Sequence, residues 1–246
     1  MTSDPAVEAE GLVKTFGNIE ALRGVSFKVG RGEIFGLLGP NGSGKTTLVR
    51  LLSTLIVPTA GTARIFGDDV VRFPLGVKRS IGLVQQALSC EPYLSVRRNI
   101  SLYAYLDGMS WKDAETASKR VIALFGLDEF ADRKAVHLSL GLKRRLQIAR
   151  EFVREPRLLF LDEPTVGLDP ESKRVTLDLI KAKAKLGMTV FFTTHNLSEA
   201  EYLCDRVAIV SRGKIVIVDE PQAILKSAAT NNLEDAYLRL VKGSRV

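Results

Sequence analysis

Two periods of apolar residues divide the chain. Short runs rich in β-branched and aromatic residues read as buried strands, and they alternate with longer stretches whose apolar positions recur at helical spacing. The strand runs are residues 25–29, 33–38, 63–66, 81–84, 158–161, 189–193 and 207–210. Between about residues 88 and 151 the strand signal stops, and residues 95–106, 110–125 and 140–153 carry helical periodicity instead. Further on, Ser211-Arg212-Gly213-Lys214 separates two apolar runs as a hairpin turn does, and residues 234–241 form a short amphipathic pattern. Strands alternating with helices predict an α/β protein with a mostly parallel sheet. The expected organisation is one domain over 1–246: a core of 1–87 and 152–218, an inserted helical subdomain at 88–151, and a short helical tail at 219–246.

Composition narrows the class. Of 246 residues, 46% are hydrophobic and 26% charged, ordinary for a globular protein and unlike disordered or membrane-embedded chains. No apolar run approaches the roughly 20 residues needed to span a bilayer, so work at a membrane would require a partner. The opening MTSDPAVEAE lacks a positive start followed by an apolar core, which predicts a cytosolic chain. Cys90 and Cys204 lack metal-ligand spacing and are expected to be buried or half-buried thiols. A net charge of +7 suits nucleotide, nucleic acid or an anionic membrane surface. The basic residues are dispersed, however, and Lys143-Arg144-Arg145 reads as a solvated helix face, so no nucleic-acid partner is expected.

Two segments carry candidate chemistry. Gly39-Pro40-Asn41-Gly42-Ser43-Gly44-Lys45-Thr46 matches the P-loop pattern and stands between a strand run and a helical run. Its glycines let backbone N–H groups and a helix N-terminus face phosphate oxygens, Lys45 can reach the outer phosphates, and the Thr46 hydroxyl can ligate Mg²⁺. Downstream, Leu158-Leu159-Phe160-Leu161 ends in Asp162 and Glu163. There Asp162 can hold the metal and Glu163 can polarise an attacking water.

The ordered set GPNGSGKTT, VQQ, LSLGLKRRLQIAR, LLFLDEPTVGLDP and TTH resembles the nucleotide-binding subunit of ABC transporters over about residues 9–218. The resemblance implies a P-loop NTPase of ABC type, with an antiparallel β part at the N-terminus and an inserted helical subdomain. It implies ATP and Mg²⁺ as cofactors, with ATP contacts from Phe16 on adenine and from Gly39 to Lys45, Thr46 and Thr47 on phosphate. Gln86 takes the place of the Q-loop glutamine that contacts metal and attacking water, although Gln85 stands where proline is usual. His195 corresponds to the switch histidine on the γ-phosphate, beside Glu163 as the catalytic carboxylate. Asp169 corresponds to the D-loop aspartate that reaches across a dimer, and it can also cap a helix opening at Pro170.

One departure stands out. The family's LSGGQ signature appears as Leu138-Ser139-Leu140-Gly141-Leu142. In the family Ser139 and Gly141 would bind the γ-phosphate held by the opposite subunit, and Leu140 adds bulk there and penalises any positive φ. A weakened site is expected, shared by both halves of a homodimer or confined to one site of a heterodimer. The segments PTVGLDP and HNLSEAEYLCDRVAIVSRGKIV most resemble ABC-2 type exporters. The implied partner is a separate transmembrane permease, which would hold the subunit at the cytoplasmic face of the membrane.

Overall fold

The computed structural model describes residues 4–243. The strands are β1 (Val7–Phe16), β2 (Ile19–Val29), β3 (Ile34–Leu38), β4 (Ala60–Ile65), β5 (Asp68–Asp69), β6 (Ile81–Val84), β7 (Leu158–Asp162), β8 (Thr189–Thr194), β9 (Arg206–Ser211) and β10 (Lys214–Asp219). The α-helices are α1 (Lys45–Leu52), α2 (Pro74–Ser80), α3 (Val96–Leu106), α4 (Trp111–Leu124), α5 (Leu140–Glu151), α6 (Pro170–Ala184), α7 (Leu197–Leu203), α8 (Pro221–Ser227) and α9 (Leu233–Gly243). Backbone contacts gather these into two compact units. The first comprises the described parts of Met1–Leu83, Arg157–Glu163 and Lys181–Val246, and the second Val84–Pro156 and Pro164–Ile180.

The first unit holds a four-stranded sheet in the order β2-β1-β4-β5 and a six-stranded sheet in the order β10-β9-β3-β8-β7-β6. The smaller sheet is antiparallel. Its strand β1 and the first half of β2 lie outside the apolar runs. The reason is visible in the register, which shifts between Ala9 and Leu12 and again near Lys14, with Gly11 at φ 58°. Such bulges break the strict alternation that marks a half-buried strand.

In the larger sheet β3 pairs in parallel with both β8 and β9, and β7 pairs in parallel with β8. Every residue of β3, β7 and β8 is buried, as expected for strands covered on both faces. Phe35 is in contact with Phe27 and Phe191, with ring centroids 5.4 and 5.6 Å away, and Phe160 lies 5.4 Å from Phe191. Rings of this size bury enough apolar surface to fix the sheet against its neighbours. The parallel register sets Leu38 beside Thr194 and Asp162 beside Thr193. Residues 39, 163 and 195 therefore emerge together at the carboxyl edge of the sheet, where open α/β sheets bind ligands.

The second unit contains α3, α4 and α5. Each opens on a serine whose hydroxyl accepts a backbone N–H three residues on: Ser95 from Arg98, Ser110 from Asp113 and Ser139 from Leu142. One expectation fails here. Arg144 does not lie on a solvated face but is only 2% exposed, its guanidinium bonded to the carbonyls of Gln85 and Gln86. A run of charges records composition, whereas burial is decided by what packs over the helix; Arg145 beside it fits the solvated reading better, being half-buried. Among the described residues no helix is long and apolar enough to cross a membrane.

Candidate functional site

The loop from Gly39 to Gly44 joins the end of β3 to the start of α1, and its glycines are required by shape. A Cβ on Gly39 would lie 2.4 Å from the Val210 carbonyl oxygen, and one on Gly44, at φ 108°, would lie 2.7 Å from that of Ala21. Helix α1 begins without a side-chain cap and without an acidic residue in its first turn. Its leading N–H groups are thus free to meet an anion, with Thr46 and Thr47 half-buried in that turn. Ser43 Oγ is buried in the loop without a hydrogen-bond partner, and Pro40, Asn41 and Gly42 form its exposed tip. The uncapped helix start and the partnerless buried hydroxyl leave hydrogen-bonding capacity that an anion can use.

Lys45 is 5% exposed and turns back into the loop. Its ammonium donates to the carbonyls of Gly39 at 2.8 Å and Pro40 at 3.2 Å and pairs with Glu163 Oε1 at 3.0 Å. The other Glu163 oxygen lies 3.1 Å from His195 Nδ1. Glu163 itself is 6% exposed and sits at φ 48°, a left-handed backbone that turns the chain sharply out of β7. Next to it Asp162, 4% exposed, accepts the Thr193 hydroxyl at 2.6 Å. The same hydroxyl accepts the Glu163 N–H at 3.0 Å. A buried ammonium, two carboxylates and an imidazole thus converge on the mouth of the loop.

His195 owes its place to the turn from β8 into α7. Asn196 caps α7 by accepting from Ser198 and Glu199, and Thr194 Oγ1 donates to the buried Glu199 carboxylate at 2.9 Å while accepting from the Asn196 N–H. At the end of β1, Phe16 leaves 48% of its surface exposed, with Lys14 Nζ 4.9 Å from the ring centroid. An exposed ring of this kind is available for stacking.

The remaining candidates lie in the second unit. Gln86 is exposed in the loop after β6. Ser139 caps α5, and Leu140 is the first helical residue, 42% exposed. Leu140 has no positive φ, so the backbone penalty expected of a leucine at that position does not arise; the N-terminal turn of a helix accepts any L residue. Gly141 is demanded by packing, since a Cβ there would lie 2.4 Å from Ser172 Oγ. Asp169 accepts the Ser172 N–H at 2.9 Å, and the Ser172 amide and hydroxyl hold its carboxyl below the usual carboxylate range. Thr193, Glu199 and Arg144 are absent from the sequence-based candidates. The signal for the first was two hydroxyl residues closing an otherwise apolar buried strand.

The ABC transporter family model matches residues 22–166. The daunorubicin/doxorubicin resistance ATP-binding protein DrrA of Streptomyces peucetius is 41% identical over 93% of this chain and 69% of its own length. Among solved structures, an ATP-binding subunit of an ABC transporter superposes with a TM-score of 0.84 at 26% identity, covering 96% of this chain and 99% of that one. The ATP-binding cassette MJ0796, a dimer in a post-hydrolysis state bound to ADP and Pi, does so with 0.77 at 26% identity, covering 87% and 98%. With Lys45 and His195 both in contact with Glu163 beside its P-loop, the chain belongs to the ABC transporter family and is one of its nucleotide-binding ATPases.

Proposed function

We propose that the chain is the ATPase subunit of an exporter: it binds Mg-ATP, pairs with a second ATP-binding subunit, and drives a separate permease from the cytoplasmic face of the membrane. The observation that carries the reading is the contact of the buried Glu163 carboxylate with both the buried Lys45 and the half-exposed His195, set by the register of β3, β8 and β7. On this reading Lys45 and the free N–H groups of α1 hold the outer phosphates. Glu163 orients and polarises the attacking water, and His195 steadies the γ-phosphate as charge develops on it. Phe16 stacks on adenine, while Ser139 and Gly141 contact the nucleotide of the opposite subunit, with Asp169 reaching across the pair.

Asp162 and the Thr46 hydroxyl supply the hard oxygen donors that suit Mg²⁺, a cation normally shared between one or two carboxylates and substrate phosphates. The family resemblance gives Gln86 a part in hydrolysis as the Q-loop glutamine. A magnesium ion held by these residues would supply positive charge to offset the charge that develops on the transferred phosphoryl group. The Streptomyces relative bears its name from drug resistance, which supports outward transport as the direction of work.

Glu163→Gln tests this reading. It keeps the shape of the side chain and removes its basicity, so turnover should fall by about 10²-fold or more while ATP is retained. An ATP-dependent dimer on size-exclusion chromatography is expected for this variant. Turnover at the wild-type rate would overturn the assignment of Glu163.

A further inference from the structure

Helix α5 grips the loop after β6 by its backbone. From one face of the helix, Arg144 Nη1 and Nη2 donate to the carbonyls of Gln85 at 2.9 Å and Gln86 at 2.7 Å. Gln147 Nε2 donates to the carbonyls of Gln85 at 3.2 Å and Ala87 at 2.9 Å, and its Oε1 accepts from Arg144 at 2.7 Å. Arg150 completes the row on the carbonyl and hydroxyl of Ser89. The side chains of Gln85, Gln86, Ala87 and Leu88 remain exposed. A loop with exposed side chains is thus held by its carbonyls from beneath.

Arg144 is the costly member. At 2% exposure its guanidinium has, among the described residues, carbonyl and amide partners but no carboxylate. Burying an uncompensated cation costs several kcal/mol of desolvation, and an apolar side chain would fill the space more cheaply. What the guanidinium adds is a fixed fork that sets two consecutive carbonyls at once. Because α5 opens at Ser139-Leu140-Gly141, the fork ties the backbone on which Gln86 is mounted to the helix that carries the signature segment.

We propose that Arg144 is a positioning residue: it sets the backbone of Gln86 and makes the Gln86 loop and the signature helix move as one body. This rests on the reading of Gln86 as a participant in hydrolysis. Arg144 touches neither nucleotide nor metal in this scheme, and it acts only through the loop it holds.

The test is a double-mutant cycle on the full chain, read by single-turnover cleavage of ATP at saturating Mg²⁺ with ATP affinity measured separately. Arg144→Met should slow cleavage by about 10²-fold, the loss expected of a misplaced reacting group, and leave ATP affinity within about twofold. Arg144→Lys, which can reach one of the two carbonyls, should recover part of the rate. In a Gln86→Ala background, Arg144→Met should add less than about twofold, because residues acting as a unit are not additive. Wild-type cleavage in Arg144→Met, or an equal loss in both backgrounds, overturns the proposal. Wild-type cleavage in Gln86→Ala overturns the reading of Gln86 and this proposal with it, whereas an impaired Gln86→Ala beside an unimpaired Arg144→Met overturns this proposal alone. If Arg144→Met does not fold, Arg144→Lys in the two backgrounds makes the same comparison.

Discussion

Replacing Thr193 by valine removes one hydroxyl from the centre of the site and almost nothing else. The residue is wholly buried, and valine matches its shape with a methyl in place of the oxygen. Two hydrogen bonds are lost: the 2.6 Å donation to Asp162 and the 3.0 Å acceptance from the Glu163 N–H. The second loss is small, because that N–H keeps its bond to the Thr193 carbonyl at 3.1 Å. The first leaves a buried carboxylate short of a donor, a charge-assisted bond worth about 1.5–3 kcal/mol. At roughly 2–4 °C per kcal/mol for a chain of this size, a loss of about 2 kcal/mol lowers the melting midpoint by about 4–8 °C. Circular dichroism melting without added nucleotide measures this. Thr193→Ser keeps the hydroxyl and should retain the bond to Asp162, losing only the packing of a methyl group. With saturating Mg-ATP the gap between wild type and Thr193→Val should narrow, because on the proposed reading a metal held by Asp162 would replace the missing donor. A Thr193→Val protein that melts with the wild type, or serine and valine variants that melt together, would refute the role given to this hydroxyl.

Leu140→Gly should raise steady-state ATP turnover, by about tenfold if bulk at that position obstructs phosphate contact, while costing about 0.5–1 kcal/mol in helix stability; an unchanged rate shows that the leucine is no obstacle. Gly36→Ala places a Cβ 2.7 Å from Cys204 Sγ and 3.0 Å from Val207 Cγ1, and should destabilise by about 1–3 kcal/mol in urea titrations. Adding Cys204→Ala should recover part of that loss, and strict additivity in the cycle would contradict the clash. Burial also pushes the Cys204 thiol well above the ordinary thiol range. The unfolded chain therefore releases this proton first, so the stability is intact below about pH 8.5 and declines as pH rises beyond it, by up to about 1.4 kcal/mol per unit. Urea midpoints across that range should fall less steeply in Cys204→Ala, and parallel curves would refute the linkage.

Helices were legible because their ends are chemical. Ser95 and Ser110 cap at the positions where the apolar period begins, and α3 and α4 start one residue later. The fully buried strands β3, β7 and β8 announced themselves as short apolar stretches, flanked in β8 by threonines. Strand β1 did not, because its bulges destroy the alternation on which strand recognition depends. In the site, Lys45, Asp162, Glu163 and His195 could be named from order and spacing, but their mutual contacts could not. Those contacts depend on which strands are neighbours in the sheet, a long-range property. Arg144 was misjudged for the same reason: nothing local distinguishes a buried arginine from a solvated one, and only the carbonyls of a loop some sixty residues away explain it.

The left-handed backbone at Glu163 has a consequence for anyone selecting variants of this protein. A non-glycine residue held there carries about 1–2 kcal/mol of conformational strain that glycine relieves and asparagine partly tolerates. A library sorted only for heat resistance would meet two opposed effects at this codon: glycine relieves the strain, but it leaves the buried Lys45 ammonium without its carboxylate, a loss of about 3–5 kcal/mol that outweighs the gain. Heat selection alone should therefore hold a carboxylate at position 163, and Glu163→Gly should melt below the wild type even though it removes the strain.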